Sequence, residues 1–286
     1  MRENFYQPSS LLPPVIISLT AIRSRVHRIE AVLESLRNQT LQPNDIVLSV
    51  SEDAFALDEG IPLSQIPEGV RRMVEGGSLK LWFVPNTGPY RKLMPVLGRV
   101  IGREVLIATA DDDTIYPPDW LQGLVETYNL KRCVVAYRCR AMSIKAGRFT
   151  PYNHWKRLPV DDIAFGEVPH DQRGLFTLPT GVHGVLYNSK FFPDLALLER
   201  LRQVAPLQDD LAFRAATMCL GISATRVADV GIVEASGTFR LAKTDSETLF
   251  NSNKTANDVA WAKIMTILEA EGAWPLANRA ANTSIS

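Results

Sequence analysis

Short apolar runs alternate with helix-like segments over about the first 130 residues, and this alternation constrains the fold more than any other feature. Residues 15–19 (Val-Ile-Ile-Ser-Leu) are rich in β-branched side chains, which is typical of a strand covered on both faces. Residues 46–50 have the same character, residues 79–84 are predicted as a third strand, and a helix-like segment lies between the first two runs. Strand–helix alternation of this kind predicts a mostly parallel sheet with right-handed crossovers and helices on its faces.

The connections between the predicted strands carry helix and turn signals. Val26, Ile29, Leu33 and Leu36 recur at helical spacing, and we expect Ser24 to cap that helix. Residues 86–89 (Asn-Thr-Gly-Pro) predict a turn that leads into a short helix over residues 93–100. Pro118 is expected to lie near the first turn of the next helix.

The second half of the chain is less regular. Residues 150–180 contain four prolines and no clear period, so we expect a long functional or mobile loop region. Around it, we predict two strands and three helices, the second helix ending at Gly221 in a left-handed conformation. The predicted strands are residues 133–139 and 182–187, and the predicted helices are residues 195–204, 210–220 and 259–270.

Composition excludes several classes of protein. The chain has 286 residues and 46% hydrophobic content, enough for a substantial core. Lys plus Arg and Asp plus Glu both number 31, and a neutral balance argues against a general nucleic-acid binder. The three cysteines form no C-x-x-C pair, which argues against a disulfide framework and against a zinc site.

Targeting signals are absent from the sequence pattern. The first ten residues hold no apolar core of signal-peptide length, and no apolar run approaches the roughly 18 residues of a membrane span. We therefore expect a cytoplasmic protein, with peripheral association at the inner membrane left open.

Three consecutive carboxylates follow an apolar run at residues 105–108. Asp111, Asp112 and Asp113 are thereby expected at the carboxyl end of a buried strand, where α/β sheets bind ligands. Oxygen ligands of this kind suit Mg²⁺ or Mn²⁺ held jointly with a phosphate. The alternative is a solvated acidic turn, but three adjacent aspartates repel one another unless a cation or donors offset their charge.

Polar residues also follow two other predicted strands, and they would line the same edge of the sheet. Thr20, Ala21 and Arg23 follow the first strand, and Asp53 follows the second. This arrangement predicts a nucleotide crevice, with base and ribose between the first two strands and metal-bound phosphate near the fourth. A merely solvated loop is the alternative at Asp53. Lys92 lies at a helix start, where a cation opposes the helix dipole, so we expect it to contact phosphate unless it is simply exposed.

A second acidic motif begins a predicted helix. Asp209 and Asp210 are placed there either as N-terminal caps, which the helix dipole favours, or as a general base that deprotonates an acceptor hydroxyl. His183 lies in a Gly-Val-His-Gly stretch, residues 181–184, whose glycines let the backbone approach a ligand. We expect it to contact substrate or metal, with a core histidine as the alternative.

The order of these features resembles the GT-A-fold glycosyltransferases, in particular the family-two group of inverting bacterial enzymes. The match rests on the apolar first strand, the Ser-Leu-Arg-Asn-Gln-Thr helix end at residues 35–40, the second strand, and the aspartate triplet followed by Pro118 and Leu121. The acidic helix start, Asp-Asp-Leu-Ala-Phe at residues 209–213, resembles the family's base motif. The resemblance covers roughly residues 13–220.

The resemblance implies a function and a set of roles. Asp111 approaches the ribose or the metal, Asp113 ligates Mn²⁺ or Mg²⁺, Asp210 or its neighbour Asp209 is the base, and Trp155 stacks on the acceptor sugar. Asp112 joins the donor contacts already named at Thr20, Ala21, Arg23, Asp53 and Lys92. The implied reaction inverts the anomeric carbon as one sugar moves from a nucleotide-sugar, with UDP preferred, to a glycan or glycolipid in capsule or lipopolysaccharide assembly.

The same resemblance implies a domain plan. Residues 1–240 form one GT-A catalytic domain, with 13–115 as the nucleotide-sugar-binding half and 116–240 as the acceptor-binding half. Residues 241–286, a polar segment and a helix, are expected to act as an active-site lid. The chain lacks the Gln-x-x-Arg-Trp motif of processive synthases, so we expect single-sugar transfer.

Two rival functions remain open. A sugar nucleotidyltransferase shares the general fold and the metal–phosphate chemistry, but it is expected to show a glycine-rich signature after the first strand, and residues 20–25 contain no glycine. A catalytically inactive GT-A-like module that binds a glycan or a partner is the other rival. The presence of both acidic motifs argues against it.

Overall fold

The structure is a computed structural model that describes residues 13–159, 162–230, 239–241 and 256–272. The described residues form thirteen strands, most of them two to six residues long. These are β1 (Val15–Thr20), β2 (Asp45–Val50), β3 (Lys80–Phe83), β4 (Leu106–Ala110), β5 (Thr114–Ile115), β6 (Val134–Ala136), β7 (Cys139–Ala141), β8 (Ile144–Lys145), β9 (Arg148–Phe149), β10 (Thr177–Pro179), β11 (Val185–Asn188), β12 (Ala224–Arg226) and β13 (Arg240–Leu241).

Seven α-helices within the described residues cover the sheet and the second half of the chain. They are α1 (Ile29–Arg37), α2 (Glu68–Glu75), α3 (Met94–Arg99), α4 (Trp120–Lys131), α5 (Leu195–Val204), α6 (Asp209–Cys219) and α7 (Ala256–Ala270). None of these helices combines the length and apolarity needed to cross a bilayer.

A seven-stranded sheet forms the centre of the molecule, in the order β12-β6-β11-β4-β1-β2-β3. All neighbouring pairs are parallel except the two that involve β11, which runs antiparallel to β4 and β6. The central strands are apolar along nearly their whole length because helices cover both faces. The predicted fold class, an α/β fold with a mixed, mostly parallel sheet flanked by helices, is confirmed.

Two local predictions were wrong. Ser24 is exposed and does not cap a helix; a 3-10 turn at Val26–Arg28 leads into α1 instead. The single strand predicted over residues 133–139 is split into β6 and β7, because the chain leaves the main sheet after Ala136 and pairs next with β10. The sequence reasoning also missed α2, although Val70 and Met73 have helical spacing and are buried.

The region predicted as a long loop, residues 150–180, is anchored by an aromatic cluster. It contains 3-10 turns and the strand β10, and Trp155 within it is only 1% exposed. The rings of Phe149, Tyr152 and Trp261 all lie within 6 Å of the Trp155 ring, centroid to centroid. Burial of these rings fixes a segment that has little regular secondary structure.

The C-terminal helix α7 packs against α5 and α6 and contributes Trp261 to that cluster. Its apolar side chains at Ala260, Ile264 and Leu268 are buried, so the helix is part of the packed body. The strand β13 pairs with β5, directly after the aspartate triplet. Most of the segment predicted to act as a lid, residues 242–255 and 273–286, lies outside the described residues.

Candidate active site

The aspartate triplet lies at the carboxyl end of β4, next to the end of β1 in the centre of the sheet. The turn that carries it is held by Tyr116, whose hydroxyl accepts a hydrogen bond of 2.7 Å from the Asp111 backbone N–H. The short strand β5 follows at once. The triplet therefore occupies a fixed turn at the sheet edge where α/β proteins bind ligands.

The three aspartates have different surroundings. Asp112 is buried, and its carboxylate accepts hydrogen bonds from the Ile22 backbone N–H at 3.2 Å and from the Arg25 guanidinium at 2.8 Å. It therefore ties the triplet to the loop after β1. The sequence prediction gave Asp112 a direct donor contact, whereas the structure places both of its oxygens in this internal link.

Asp113 is the more accessible member, with 30% of its side chain exposed. Its Oδ1 accepts a bond of 3.3 Å from the Thr114 hydroxyl, and its Oδ2 lies 3.9 Å from Arg25. The second distance is too long for a hydrogen bond. In the described part of the protein, Oδ2 of Asp113 therefore has no hydrogen-bond donor at close distance.

Lys92 faces the triplet from the 3-10 turn Gly88–Lys92. Its Nζ lies 2.9 Å from Oδ2 of Asp209 and 3.7 Å from Oδ1 of Asp111. Burial opposes the charge of this ammonium, but Asp209, Asp111 and Asp210 outweigh it and raise the pKa of Lys92 well above its usual value. The lysine is therefore a buried cation fixed among carboxylates, not a simply exposed one, and its contact to phosphate stays a prediction.

Gly181 marks the point on which these groups converge. A Cβ atom built at this position would lie 2.7 Å from Nζ of Lys92, 3.3 Å from Oδ1 of Asp210 and 3.9 Å from Oδ1 of Asp111. Any side chain at residue 181 would therefore fill the space between them. Because residue 181 has no side chain, the two acidic motifs, which lie about 100 residues apart in the sequence, come close together around this position.

Asp210 is bound to another segment rather than to its own helix. Both of its carboxylate oxygens lie 3.0 Å from the Gly181 backbone N–H. Burial, together with the nearby charge of Asp209, raises the pKa of Asp210 to about 7, although Lys92 and the Gly181 N–H oppose the rise. A simple cap at a helix N-terminus would accept from the helix's own N–H groups and would have a lowered pKa, so this geometry favours the general base.

Asp111 is perturbed in the same direction. Burial raises its pKa to about 6, Lys92 opposes that rise, and the charges of Asp113, Asp112 and Asp209 add to it. Among the described residues, Lys92 and Arg25 are the cations paired with these carboxylates, and two positive charges only partly neutralise Asp111, Asp112, Asp113 and Asp209. The excess of negative charge favours the binding of a further cation.

The carboxylates of the triplet determine whether a divalent cation fits here. Within the part of the chain that the structure describes, no three His, Cys, Asp or Glu residues are grouped so as to hold a metal by themselves. Asp111 and Asp113 provide two carboxylates whose nearest cations are at 3.7 and 3.9 Å. Mg²⁺ is commonly held by one or two carboxylates plus substrate phosphates, and the pair fits that mode of binding.

Of the residues predicted to line the donor crevice, some have side chains bonded or buried within the protein and others have side chains exposed to solvent. The Thr20 hydroxyl donates to the Ser49 carbonyl, and the Ala21 side chain is buried. Arg23 has a 40% exposed side chain that lies 3.5 Å from Glu59. The Asp53 side chain is exposed. Of these four, Arg23 and Asp53 present side chains to solvent at the sheet edge.

The structure adds Asp58, which the sequence reasoning missed. Its buried carboxylate accepts from the backbone N–H groups of Arg23 and Gly60, from the Asn86 amide, and from the Arg91 guanidinium at 2.7 Å. Arg91 is 1% exposed, so this cation serves the scaffold rather than a phosphate. Asp58, in the loop after β2, is thereby joined to the loop after β1 through Arg23 and to the turn after β3 through Arg91. No local pattern in the sequence distinguishes a buried aspartate from a solvated one.

His183 and Trp155, the two residues predicted to contact the acceptor, have different surroundings in the structure. The His183 ring stacks on Phe239 at 4.2 Å between centroids and 4° between planes, and its pKa is lowered to about 4 by burial and by Arg138 and Arg157. It is therefore neutral at physiological pH. Trp155 is buried, and its Nε1–H donates to the Thr150 carbonyl. Its ring is 1% exposed and has no face available for the predicted stacking on a sugar, so it acts as a hydrophobic anchor.

The glycine after His183 serves packing. Gly184 has a φ of +93°, and a Cβ there would lie 2.6 Å from the Trp120 ring. The Trp120 Nε1–H also donates to the His183 carbonyl at 2.8 Å. The backbone of this Gly-Val-His-Gly stretch therefore approaches its neighbours closely, as expected. At Gly184 the neighbour is the core tryptophan, and at Gly181 the neighbours are Lys92 and the aspartates.

Neither protein-family models nor curated protein sequences give a match to this chain. Similar solved structures include S. aureus TarS 1-349 in complex with UDP-GlcNAc (17% identity, 84% of this chain and 61% of that chain, TM-score 0.47). Others are a 4-diphosphocytidyl-2C-methyl-D-erythritol synthase (11%, 85% and 96%, 0.46) and the mannosyltransferase PcManGT from Pyrobaculum calidifontis with GDP-Man and Mn2+ (17%, 97% and 83%, 0.44). The chain thus spans about three fifths of the TarS structure, and likeness at this level carries no argument about function.

Proposed function

We propose that this chain is a divalent-metal-dependent, inverting glycosyltransferase that moves one sugar from a nucleotide-sugar to a hydroxyl group of a glycan or glycolipid. The observation that carries the proposal is the convergence of Asp111, Lys92, Asp209 and Asp210 on the space beside Gly181. A cation-binding carboxylate, a fixed ammonium and a carboxylate of raised pKa are what a transfer from a phosphate leaving group requires.

Asp111 and Asp113 would hold Mn²⁺ or Mg²⁺ together with the donor's diphosphate. Bound there, the cation would supply Lewis-acid neutralisation of the charge on the leaving nucleoside diphosphate. Asp112 keeps the triplet in place through Ile22 and Arg25 rather than as a ligand.

Asp210 is the proposed general base. The acceptor oxygen forms a bond to the anomeric carbon, the bond from that carbon to the phosphate oxygen breaks, and its electron pair leaves with the nucleoside diphosphate. The acceptor proton passes to the Asp210 carboxylate, whose pKa of about 7 suits proton transfer near neutral pH. Asp209 is the weaker candidate because it is paired with Lys92 at 2.9 Å.

The Lys92 ammonium is proposed to orient and stabilise the diphosphate side of the donor. Its Nζ lies 2.9 Å from Asp209 and 3.7 Å from Asp111. A preorganised cation of this kind stabilises developing negative charge without a reorganisation cost at the moment of reaction.

The remaining assignments extend this proposal. We propose UDP as the preferred nucleotide, with Arg23 and Asp53 at the donor end of the crevice and residues 116–240 as the acceptor half. The lid proposed within residues 241–286 begins beside the triplet, where Leu241 pairs with Thr114, and does not include the packed helix α7. Capsule or lipopolysaccharide assembly at the cytoplasmic side of the inner membrane is the proposed setting.

Thermal shift with nucleoside diphosphates tests the donor site. UDP, GDP, CDP, dTDP and ADP are compared at equal concentration with Mn²⁺ and with EDTA. A ligand at a hundred times its Kd adds about 2.7 kcal/mol of stability, so a real binder gives a clear rise in melting temperature. We expect UDP with Mn²⁺ to give the largest rise, and no rise with any nucleotide would refute the donor-site assignment.

Turnover distinguishes an enzyme from an inactive binding module. Release of UDP from UDP-sugars is followed with Mn²⁺, with chelator, and in Asp210→Asn. We expect metal-dependent release in the wild-type protein and a loss of about 10²–10⁴-fold in Asp210→Asn, which still binds UDP. Binding of UDP without any release of UDP from the donors would instead indicate the binding module.

A further inference from the structure

Three arginines form a positively charged group next to the proposed base, and the reaction described above does not use them. Arg138 follows β6, Arg140 lies in β7, and Arg157 pairs with Arg140 through an isolated antiparallel bridge. Arg138 lies in the bend between β6 and β7, two residues before Arg140. We refer to these three residues as the arginine cluster.

The backbone places the cluster beside Asp210. The Arg138 carbonyl accepts a bond of 2.9 Å from the Thr180 N–H, and the next residue, Gly181, donates its N–H to Asp210. Burial lowers the pKa of Arg138, and so do the neighbouring charges of Arg157 and Arg140, while Asp210 acts in the opposite direction. The three cations are therefore close enough to repel one another, at one side of the carboxylate proposed as base.

No described carboxylate neutralises this cluster. Within the part of the chain that the structure describes, none of the three guanidiniums forms an ion pair with an acidic side chain. The Nε atoms of Arg138 and Arg140 are buried without a hydrogen-bond partner. Arg140 donates to the Trp155 carbonyl at 2.8 Å and lies over the Tyr152 ring, while Arg157 is exposed. A group of cations that has no described carboxylate partner favours the binding of an anionic ligand.

Two ring side chains accompany the cluster. The partly buried Tyr152 ring lies under the Arg140 guanidinium at 5.1 Å; burial raises the pKa of Tyr152, Arg140 opposes the rise and Asp210 adds to it. The neutral His183 ring is stacked on Phe239, and burial together with the charges of Arg138 and Arg157 lowers its pKa. An aromatic surface, a neutral imidazole and fixed guanidiniums combine stacking with bidentate anion recognition.

We infer that the acceptor is anionic and that the arginine cluster binds its phosphate or carboxylate group while the attacking hydroxyl faces Asp210. This inference rests on the proposed function and names the acceptor class for the same site. A phosphate group would be found on a sugar phosphate or on a phosphate-linked lipid carrier, and a carboxylate on an acidic sugar. A carboxylate is a planar oxyanion and a phosphate is a tetrahedral one. Both accept paired hydrogen bonds from guanidinium N–H groups.

The arginine side chains themselves report on ligand binding. The full chain, saturated with Mg²⁺ and UDP so that the donor site is filled, is titrated with inorganic phosphate, with glucuronate, and with neutral glucose at constant ionic strength. The NMR signals of the arginine Nε–H groups, assigned by substitution, are followed. We expect phosphate or glucuronate to shift the Arg138 and Arg140 signals, and glucose to leave them unchanged.

Arg157→Gln provides the variant, because its side chain is exposed and its loss is not expected to unfold the protein. We expect it to weaken anion binding at least about tenfold, whereas the exposed Arg71→Gln on α2 serves as the control and changes nothing. UDP affinity, measured separately, is expected to be equal in all three proteins.

The outcomes separate the two proposals. Shifts that phosphate alone produces assign a phosphorylated acceptor, and shifts that glucuronate alone produces assign an acidic sugar. If neither anion shifts the signals in the UDP-bound protein, or if Arg157→Gln binds the anions as tightly as the wild type, the inference is overturned. If the anions shift the signals only when UDP is absent, the arginine cluster binds the donor diphosphate, and the inference is also overturned. Failure of UDP itself to bind would refute the proposed function instead.

Discussion

Replacing Asp210 with Asn separates a catalytic carboxylate from a helix cap, because the two roles predict opposite changes in stability. The fold raises the pKa of Asp210 from 3.8 to about 7, with burial and Asp209 as the main causes. The folded protein therefore retains a proton that the unfolded chain loses, and ionisation in the folded state costs free energy. Asparagine is neutral and can still accept the Gly181 N–H, so it removes that cost.

The sign and size follow from the two pKa values. Below pH 3.8 the carboxyl is neutral in both states and the substitution has no electrostatic effect on stability. Between pH 4 and 7 the wild-type protein loses stability relative to Asp210→Asn, and the loss is complete above about pH 7. The rise from 3.8 to about 7 corresponds to at most about 4 kcal/mol, since one pH unit is about 1.36 kcal/mol.

The assay is urea unfolding of both proteins at pH 5 and pH 8, paired with kcat/KM against pH. We expect Asp210→Asn to be more stable than the wild type at pH 8, with a smaller gain at pH 5. In the wild type, kcat/KM is expected to fall below pH 7 and to be about a hundredfold under its plateau at pH 5, where about 1% of a group of pKa 7 is ionised.

Asp209→Asn is the matched control. It removes the partner that lies 2.9 Å from Lys92, so we expect a loss of about 1–3 kcal/mol, opposite in sign to the neighbouring substitution. Lower stability of Asp210→Asn at pH 8 would refute the reasoning and restore the structural cap. Activity that persists in Asp210→Asn would separately remove the general base from the mechanism.

Three further substitutions test the scaffold of the site. Asp58→Asn breaks a buried pair with four donors and is expected to cost about 3–5 kcal/mol in urea unfolding, against less than about 1 kcal/mol for Glu68→Gln in an exposed helical pair; equal costs would contradict the buried-network assignment. Trp155→Ala should lose about 3–5 kcal/mol of stability, and a normal melting temperature with a raised acceptor KM would show that the ring faces substrate after all. Gly181→Ala places a Cβ 2.7 Å from the Lys92 ammonium, so we expect kcat/KM to fall at least about tenfold, and unchanged kinetics would mean that the gap is not where the reacting groups meet.

Much of the chain's local structure was predictable from periodicity and turn chemistry. The apolar runs at β1, β2 and β4 and the helix α5 were predicted within a residue or so, because burial on both faces demands continuous apolar side chains. The split between β6 and β7 was not, since it depends on a strand leaving one sheet for another partner. The predicted roles at Asp111, Asp113 and Asp210 remain proposals; the structure brings Asp111 and Asp210 close to Gly181.

The sequence by itself determined which residue types stand at the ends of the strands: carboxylates after β4, cations before α3, and paired aspartates at the start of α6. Only the tertiary structure decided their partners. Asp112 and Asp58 face internal donors, Lys92 is held against Asp209, and Trp155 is buried in the core. The physical reason is that the charge state and reactivity of an ionisable group depend on its desolvation and on charges within a few ångströms, and those neighbours come from segments far apart in the chain.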